Sequence, residues 1–480
     1  MITIELTNNK SKLSGSPQKA LIAAQKKFKV KNPNAFYLRK FMSPDWDGCQ
    51  DFITNAGYFE TGLLPEITLF FEEHNYKYRM VDNRILSNLK INKDTSTWSF
   101  QPRDYQLSIA TKILKHKVDG LHFPRGLLKF ATNAGKTYIA ATLYNLVKRP
   151  TVIVINEATL YNQAVKEDFP KLIPDGKMGY LRGKEFKEGD FMVCMAKTLA
   201  IRIEEKNSRV MKMLARAEIA LIDECDLAEN ATYKRILYAL YGCQVKVGMS
   251  GSVLVSNLAK YRIKNMKIKG YFGPLLGEVS NRDLIEKGVS SEVKVRILPG
   301  NTKLIDEKDI NLEYEKGITK NRSRHKLVAK TIRKHDKMGH EYFLVMCKYH
   351  AHVKRMYEYL KDNVGNLSID WVHGGRSDRE AIIAKFKAGK LDVLVSSGII
   401  KRGKNLPLAD VMINTGGGDS PENAIQMIGR MTRKKEGRKH KYFYDFYDLG
   451  NYLERHSKHR MAAYKTAGFG ITKLYTLDTI

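Results

Sequence analysis

The sequence predicts an α/β protein made of two successive parallel-sheet units behind a small α+β N-terminal unit, and three observations carry that expectation. From about residue 100 to residue 450, apolar runs of strand length alternate with amphipathic helical stretches, as in βαβ repeats whose strands are buried on both faces. The alternation occurs twice, interrupted by a basic helical stretch, ITKNRSRHKLVAKTIRKH. At 480 residues the chain is long enough for about three domains, and its apolar content of 43% is ample for their cores.

Composition narrows the function classes. There are 82 Lys and Arg against 51 Asp and Glu, a formal charge of +31. An excess of that size on a folded chain is most simply matched by a polyanionic partner, nucleic acid first, with a generally basic surface or an anionic membrane as the bland alternative. Nothing approaches the apolar run of about 18 residues that a membrane span requires. The start, MITIELTNNK, lacks a basic region followed by an apolar core, so no secretory signal is read. Cys49, Cys194, Cys225, Cys243 and Cys347 are odd in number, scattered and without CxxC spacing, which argues against a disulfide framework and a zinc site. A reducing cytoplasm is the expected setting.

Residues 1–95 read as the accessory unit. Helical spacing runs from Pro17 to Phe28, strand-like pieces lie around Gly57 to Thr61, and LLPEITLFFEEHNYKYRMVD reads as a helix followed by a strand. Basic residues interleave with Phe36, Tyr37, Phe41 and Trp46, which fits either a nucleic-acid surface or a core. The polar run Ile91 to Ser99 reads as a linker.

The first parallel unit, residues 96–297, contains the stretch that organises the chain, LLKFATNAGKTYIAAT. An apolar strand from Gly126 to Phe130 feeds the small-residue loop Thr132-Asn133-Ala134-Gly135, and helical spacing resumes at Tyr138. That strand, loop and helix order is what a phosphate-binding loop needs. In such a loop backbone N–H groups and the helix N-terminus face a triphosphate, Lys136 reaches the β and γ phosphates, and the Thr137 hydroxyl joins Mg²⁺. Phe130 and Asn133 stand where glycines are usual, and Asn tolerates a left-handed backbone better than most residues. Taken alone, GKT also fits an ordinary helix start.

Upstream, Arg103-Asp104-Tyr105-Gln106 opens a helix, and the Gln106 amide suits either an adenine edge or a solvated helix start. Downstream, TVIVIN is a buried strand followed by the helix EATLYNQAVKEDF, and FMVCMAKTLA repeats the pattern. IALIDECD ends a further apolar strand in Asp223 and Glu224, beside where the phosphate loop of a doubly wound sheet lies. Asp223 is placed to hold Mg²⁺ through water, and Glu224 to orient and deprotonate an attacking water; taken alone, an acidic pair ending a buried strand also fits a turn. Gly248 to Ser252 reads as a hydroxyl-rich turn, either a relay of nucleotide state or only a tight turn. YFGPLLGEVS and LIEKGVSS close the unit near Pro299.

The second parallel unit, residues 298–450, reads as strand YFLVMCK, helix AHVKRMYEYLKD, strand IDWVHG, helix REAIIAKFKAG and strand LDVLVSS. In the helix ENAIQMIGRMTRK, Gln426, Gly429, Arg430 and Arg433 share one face. Arginines so placed suit either phosphates docking from elsewhere, with Arg430 and Arg433 as charge donors to a transferring phosphoryl group, or a solvated basic helix near GRKHKY. The tail, residues 451–480, reads as a basic amphipathic helix, either a strand contact or a packing arm.

In order and approximate spacing, RDYQ, ATNAGKT, INEATLYNQ, IDECD, MSGS, SSGIIKRGKNLP and QMIGRMTR resemble the motifs of the superfamily-2 helicases. Trp46-Asp47-Gly48, Leu64-Pro65, the SGS form of the third motif and the turn Phe272 to Pro274 are similar to the phage UvsW group of recombination and branch-migration helicases. The resemblance implies two RecA-like lobes with ATP and Mg²⁺ as cofactors. It also implies ATP contacts from Arg103 and Gln106, from the loop residues 132–137, and from Gly403, Asn405 and Gln426. DNA is expected near Thr159, Gln163, Lys197 and Thr198 on the first lobe, at Ser396 and Ser397 on the second, and at Trp46. The implied activity is ATP-driven, 3′ to 5′ movement on forked or Holliday-type DNA by a monomer, beside phage recombination or replication proteins in a host cytoplasm. An RNA helicase, or a non-catalytic nucleic-acid binding protein with a degenerate nucleotide site, stays open as an alternative.

Overall fold

A computed structural model of the chain describes residues 1–33, 35–37, 46–173, 177–254, 259–301, 304–398, 409–432 and 440–473. It shows an α/β protein with two large sheets and a small N-terminal sheet. Its residues group into two compact units: Met1–Phe130 with Gly135–Glu278, and Ala131–Ala134 with Val279–Ile480.

The N-terminal sheet has the strand order Tyr58–Glu60, Lys10–Gly15, Ile2–Leu6, Tyr78–Asp82. Ile2, Ile4 and Leu6 alternate inward along the first strand, where the helices Gln18–Lys27 and Leu64–Glu73 supply Ala20, Ala24, Ile67 and Phe71 to the same core. The first two strands pair antiparallel, Ile4 opposite Leu13, a hairpin that the sequence reading leaves unassigned. Ile263 and Met266, from the helix Ala259–Phe272, pack on this core, so the accessory sheet is built into the first unit. The expected linker forms no regular element from Ile91 to Asp94, and the Asn92 N–H donates to the Leu146 carbonyl at 2.8 Å.

The first large sheet runs in the order Glu185–Lys187, Met178–Arg182, Phe191–Met195, Thr151–Ile155, Ile219–Asp223, Val245–Ser250, Arg125–Phe130, Leu275–Val279. The inner strands are parallel and almost fully apolar because helices cover both faces. Register sets the chemistry: Asp223 lies opposite Met249 and Ser250 opposite Lys129, so three strands bring their motif-bearing ends to one edge. Gly248, Met249 and Ser250 belong to the strand itself, so the expected turn begins only at Gly251. The segment EATLYNQAVKEDF is divided into the α-helix Ala158–Gln163, a π-helical turn Ala164–Asp168 and a short helix from Phe169.

The second large sheet runs Ile369–Val372, Val393–Ser396, Phe343–Met346, Val411–Asn414, His440–Tyr447, Glu292–Pro299, Ile471–Lys473, and its described ladders are parallel. Sequence reading extends the first lobe to residue 297, whereas Glu292–Pro299 pairs residue for residue with His440–Tyr447 in this second sheet. Eight consecutive ladder positions and the inward Val293, Val295 and Ile297 hold it there. The tail helix Leu453–Thr466 contributes Tyr464 to the same core, and the strand after it joins the sheet edge, so the tail is a packing element.

Candidate nucleotide site

The loop between the strand Arg125–Phe130 and the helix Lys136–Val147 turns through two left-handed residues, Asn133 at φ 73° and Gly135 at φ 83°. Asn133 thus adopts the conformation for which Asn is suited, and its Nδ2 donates to the Val289 carbonyl at 3.2 Å and to Ser290 Oγ at 3.3 Å. Gly135 is the helix N-cap, and a Cβ there would fall 2.4 Å from Gln106 Nε2. Backbone N–H groups at this helix start have no partner within the helix, which is the cradle an anion needs.

Lys136, the first residue of that helix, reaches the end of the strand Ile219–Asp223. Its Nζ lies 3.2 Å from Asp223 Oδ1 and 3.2 Å from Glu224 Oε1. Burial works against the ammonium, but the two carboxylates outweigh it and push its pKa above the ordinary lysine value. Glu224 is set at φ 52°, a left-handed conformation uncommon for Glu, which ends the strand and turns its side chain back to Lys136. Next to it, Asp226 is buried and accepts from Ser250 Oγ at 2.7 Å, linking the acidic motif to the third-motif strand. Burial beside Glu224 holds the Asp226 carboxyl above its usual range.

Thr137 is half-buried at the first turn of the same helix. A hydroxyl there and the Asp223 carboxylate on the neighbouring strand end are hard oxygen donors of the kind Mg²⁺ takes, so the donor set fits that ion.

Gln106 departs from one of its two sequence readings. It is 1% exposed, not solvated: its Oε1 accepts from the Arg103 N–H at 3.0 Å, capping the start of the helix Asp104–Lys115, while its amide nitrogen abuts Gly135. Arg103 donates to the Tyr105 hydroxyl at 3.0 Å. Sequence reading misses an aromatic run beside this place: Trp98 packs on Phe100 at 5.7 Å, and Phe100 meets Tyr138 edge-on at 5.6 Å. The signal was present in the letters as Trp98, Phe100 and Tyr138, but it spans the expected linker and the helix, which only the tertiary fold joins.

On the second unit, Gln426 is half-buried on the helix Pro421–Met431, and the backbone of Arg430 lies in its last turn. Gly429 has a packing reason, since a Cβ there would lie 2.4 Å from Thr132 Oγ1 in the segment Ala131–Ala134 that groups with this unit. Arg433, Gly403 and Asn405 lie outside the described residues.

The residues expected to touch nucleic acid divide by exposure. Thr159 and Lys197 are exposed at the starts of their helices. Gln163 is half-buried and donates to Asp168, and Thr198 Oγ1 accepts from the Gly183 N–H at 3.0 Å. Ser396 corrects the reading: it is fully buried and its hydroxyl donates to the Ser397 carbonyl at 2.9 Å, because it ends a central strand, leaving Ser397 as the half-exposed member. The Trp46 indole N–H donates to the Cys49 carbonyl at 2.8 Å, so its polar edge serves its own loop.

With that geometry in place, two family models match the chain: "Type III restriction enzyme, res subunit" over residues 99–253 and "Helicase conserved C-terminal domain" over residues 323–435. The chain is similar to the ATP-dependent DNA helicase uvsW of Enterobacteria phage T4, 24% identical over 92% of each chain. It is 24% identical to the putative ATP-dependent helicase IRC3 of Saccharomyces cerevisiae over 66% of this chain, and spans only 48% of that protein's length. In fold it is similar to the DNA-bound type ISP restriction-modification enzyme LlaBIII, with a TM-score of 0.56 at 11% identity, covering 86% of this chain and 34% of that one.

Proposed function

We propose that this chain, which belongs to superfamily 2 of the ATP-dependent helicases, is a DNA translocase that unwinds and rejoins the arms of forked or Holliday-type DNA. The observation that carries its ATPase half is the placement of Lys136 Nζ at 3.2 Å from both Asp223 and Glu224, at the head of a helix whose N-terminus faces the same edge.

The chain's own groups act as follows. Lys136 and the loop N–H groups bind the β and γ phosphates, taking over the charge that the two carboxylates now balance. When Mg²⁺ is bound, Thr137 and Asp223 would hold it, and it supplies charge neutralisation on the phosphate oxygens. Glu224 orients the attacking water and accepts its proton. Gln106 and Arg103 stand on the adenine side, with Gln106 pre-set by its capping bond. Gly403, Asn405 and Gln426 complete the nucleotide contacts, and Arg430 and Arg433 supply positive charge to the γ-phosphoryl group as it transfers to water and ADP leaves. Thr159, Gln163, Lys197, Thr198 and Ser397 hold the strand backbone, along which each ATP cycle advances the protein 3′ to 5′.

The DNA half is supported by the likeness to the uvsW helicase along nearly the whole chain and by a charge of +31. ATPase rate measured with single strand, duplex, fork and four-way junction is the test. Branched DNA is expected to stimulate most. No stimulation by any DNA, or full activity in Lys136→Ala, overturns the motor reading, while greater stimulation by matched RNA replaces DNA with RNA as the track.

A further inference from the structure

The tail helix Leu453–Thr466 is far from an ordinary basic surface helix. Arg460 is 2% exposed and its guanidinium is engaged on all three nitrogens. Nε donates to Asp445 Oδ2 at 2.8 Å, Nη2 to Asp445 Oδ1 at 3.2 Å and to the Phe446 carbonyl at 2.9 Å, and Nη1 to the Gly418 carbonyl at 2.8 Å. Asp445 is further satisfied by the Tyr464 hydroxyl and by Asn414 Nδ2. The pairing with Asp445 is enough to fasten the helix to the sheet. The bond to Gly418 does something else, because Gly418 lies in the loop that leads into the helix Pro421–Met431.

That loop is held at Thr415, Gly418, Asp419 and Ser420. The Thr415 N–H donates to the Met346 carbonyl at 2.8 Å, and Arg324, itself paired with Asp448, donates to the Thr415 carbonyl at 3.3 Å. His459 Nδ1, one residue before Arg460, meets Asp419 Oδ1 at 2.5 Å. Ser420 then caps the next helix by accepting from the Asn423 N–H at 3.2 Å. A run of three glycines, Gly416 to Gly418, has too much backbone freedom to aim a helix by itself, so the direction of that helix is imposed by the groups that grip the run.

We propose that Arg460 and His459 are positioning residues for ATP hydrolysis, fixing the Thr415–Ser420 loop and through it the helix that carries Arg430. This rests on the reading that Arg430 serves the γ-phosphoryl group. Both act by setting where the arginine helix begins, and displacement of a charge donor by about 1 Å costs about 100-fold in rate.

The test uses the full chain with Arg460→Gln, Arg460→Lys, Asp419→Asn and His459→Asn, and Arg430→Ala as reference. For each, kcat and KM for ATP are measured with saturating DNA, together with affinity for ADP alone, affinity for ADP with aluminium fluoride, and the melting midpoint. The expected result is a kcat lowered about 10- to 100-fold. KM and ADP affinity should stay within about twofold, with the aluminium fluoride complex weakened in step with kcat. Asp419→Asn and His459→Asn alter a half-exposed pair and leave Asp445 satisfied, so they decide the matter if the Arg460 variants do not fold. Folded variants with wild-type kcat and wild-type aluminium fluoride affinity overturn the proposal, as does a kcat loss matched by equal losses in ADP affinity and melting midpoint. Should Arg430→Ala keep wild-type kcat, the role of the arginine helix falls and this inference with it; should Arg430→Ala be inactive while the four variants are unaffected, only this inference falls.

Discussion

Lys136 holds two carboxylates at equal distance, and that symmetry separates the roles of its partners. In Glu224→Gln the ammonium keeps Asp223, so nucleotide binding persists while the proton acceptor is gone; ATP turnover is expected to fall about 100-fold or more, read by steady-state ATPase beside ADP affinity. Loss of ADP affinity in proportion to turnover contradicts this division of labour. The loop offers a second residue-scale prediction. Asn133 sits at φ 73°, so Asn133→Val is expected to destabilise by about 1–2 kcal/mol more than Asn133→Gly, measured by urea unfolding, because only the valine has a branched Cβ to strain there. These positions were legible because their spacing is local: GKT after a strand, and an acid pair at a strand end. Gln106 and Ser396 were less so. Whether a polar side chain faces a ligand, caps its own helix or bonds its neighbour's carbonyl is decided by which elements pack over it, and one-dimensional spacing carries no record of that.

At the scale of elements, the helices Arg322–Lys337 and His350–Lys361 bury histidines against each other. His325 and His352 lie with ring centroids 6.2 Å apart, and His335 is fully buried, donating to or accepting from the Tyr444 hydroxyl at 2.8 Å. Burial, aided by Arg324, pulls His325 down to about 4 and His352 down to about 3, and burial beside His340 takes His335 to about 3. All three are neutral when folded near neutral pH, whereas in the unfolded chain they take up protons around pH 6.5. The stability they contribute is therefore complete above about pH 6.5 and is lost as pH falls toward 3–4, with each unit costing at most about 1.4 kcal/mol per histidine. Urea midpoints between pH 7.5 and 5 should show this slope, and His352→Leu should flatten it by about one proton; an unchanged slope removes His352 as a contributor. Most elements could be read from the letters because the period of their apolar residues is strong. Those left unread fail for a physical reason: the hairpin Ile2–Leu6 with Lys10–Gly15 alternates over few residues, and Glu292–Pro299 gets its sheet from a partner strand far along the chain. The tail helix shows the converse, since Arg460 and His456 count as polar in any pattern yet point inward once Asp445 and Tyr314 meet them.

Across the whole molecule, cations exceed acids by 82 to 51, so pairing every acid would still leave an excess of positive charge. Of the basic residues, Arg324 and Arg460 are buried in ion pairs, while Lys10 and Lys12 lie over the exposed Tyr58 ring on the accessory sheet, and helix after helix ends in exposed lysines. A surface of that kind binds phosphates, not base edges, and its free energy comes largely from releasing the counterions condensed on DNA. Each neutralised phosphate then contributes about 0.9 to the slope of log affinity against log salt on duplex DNA. For a contact set of about six phosphates or more, affinity should fall about 1,000-fold between 50 and 200 mM salt, while permuting the base sequence at fixed length and fixed branch geometry leaves it nearly unchanged. Equilibrium titrations of a labelled fork and its sequence-scrambled counterpart across that salt range measure both quantities at once. A flat salt profile combined with strong sequence preference would mean that base-edge contacts, and not the cation excess, hold the DNA. The ATPase would then have to move a protein anchored by contacts that change at every base pair, which a motor advancing along any sequence cannot afford.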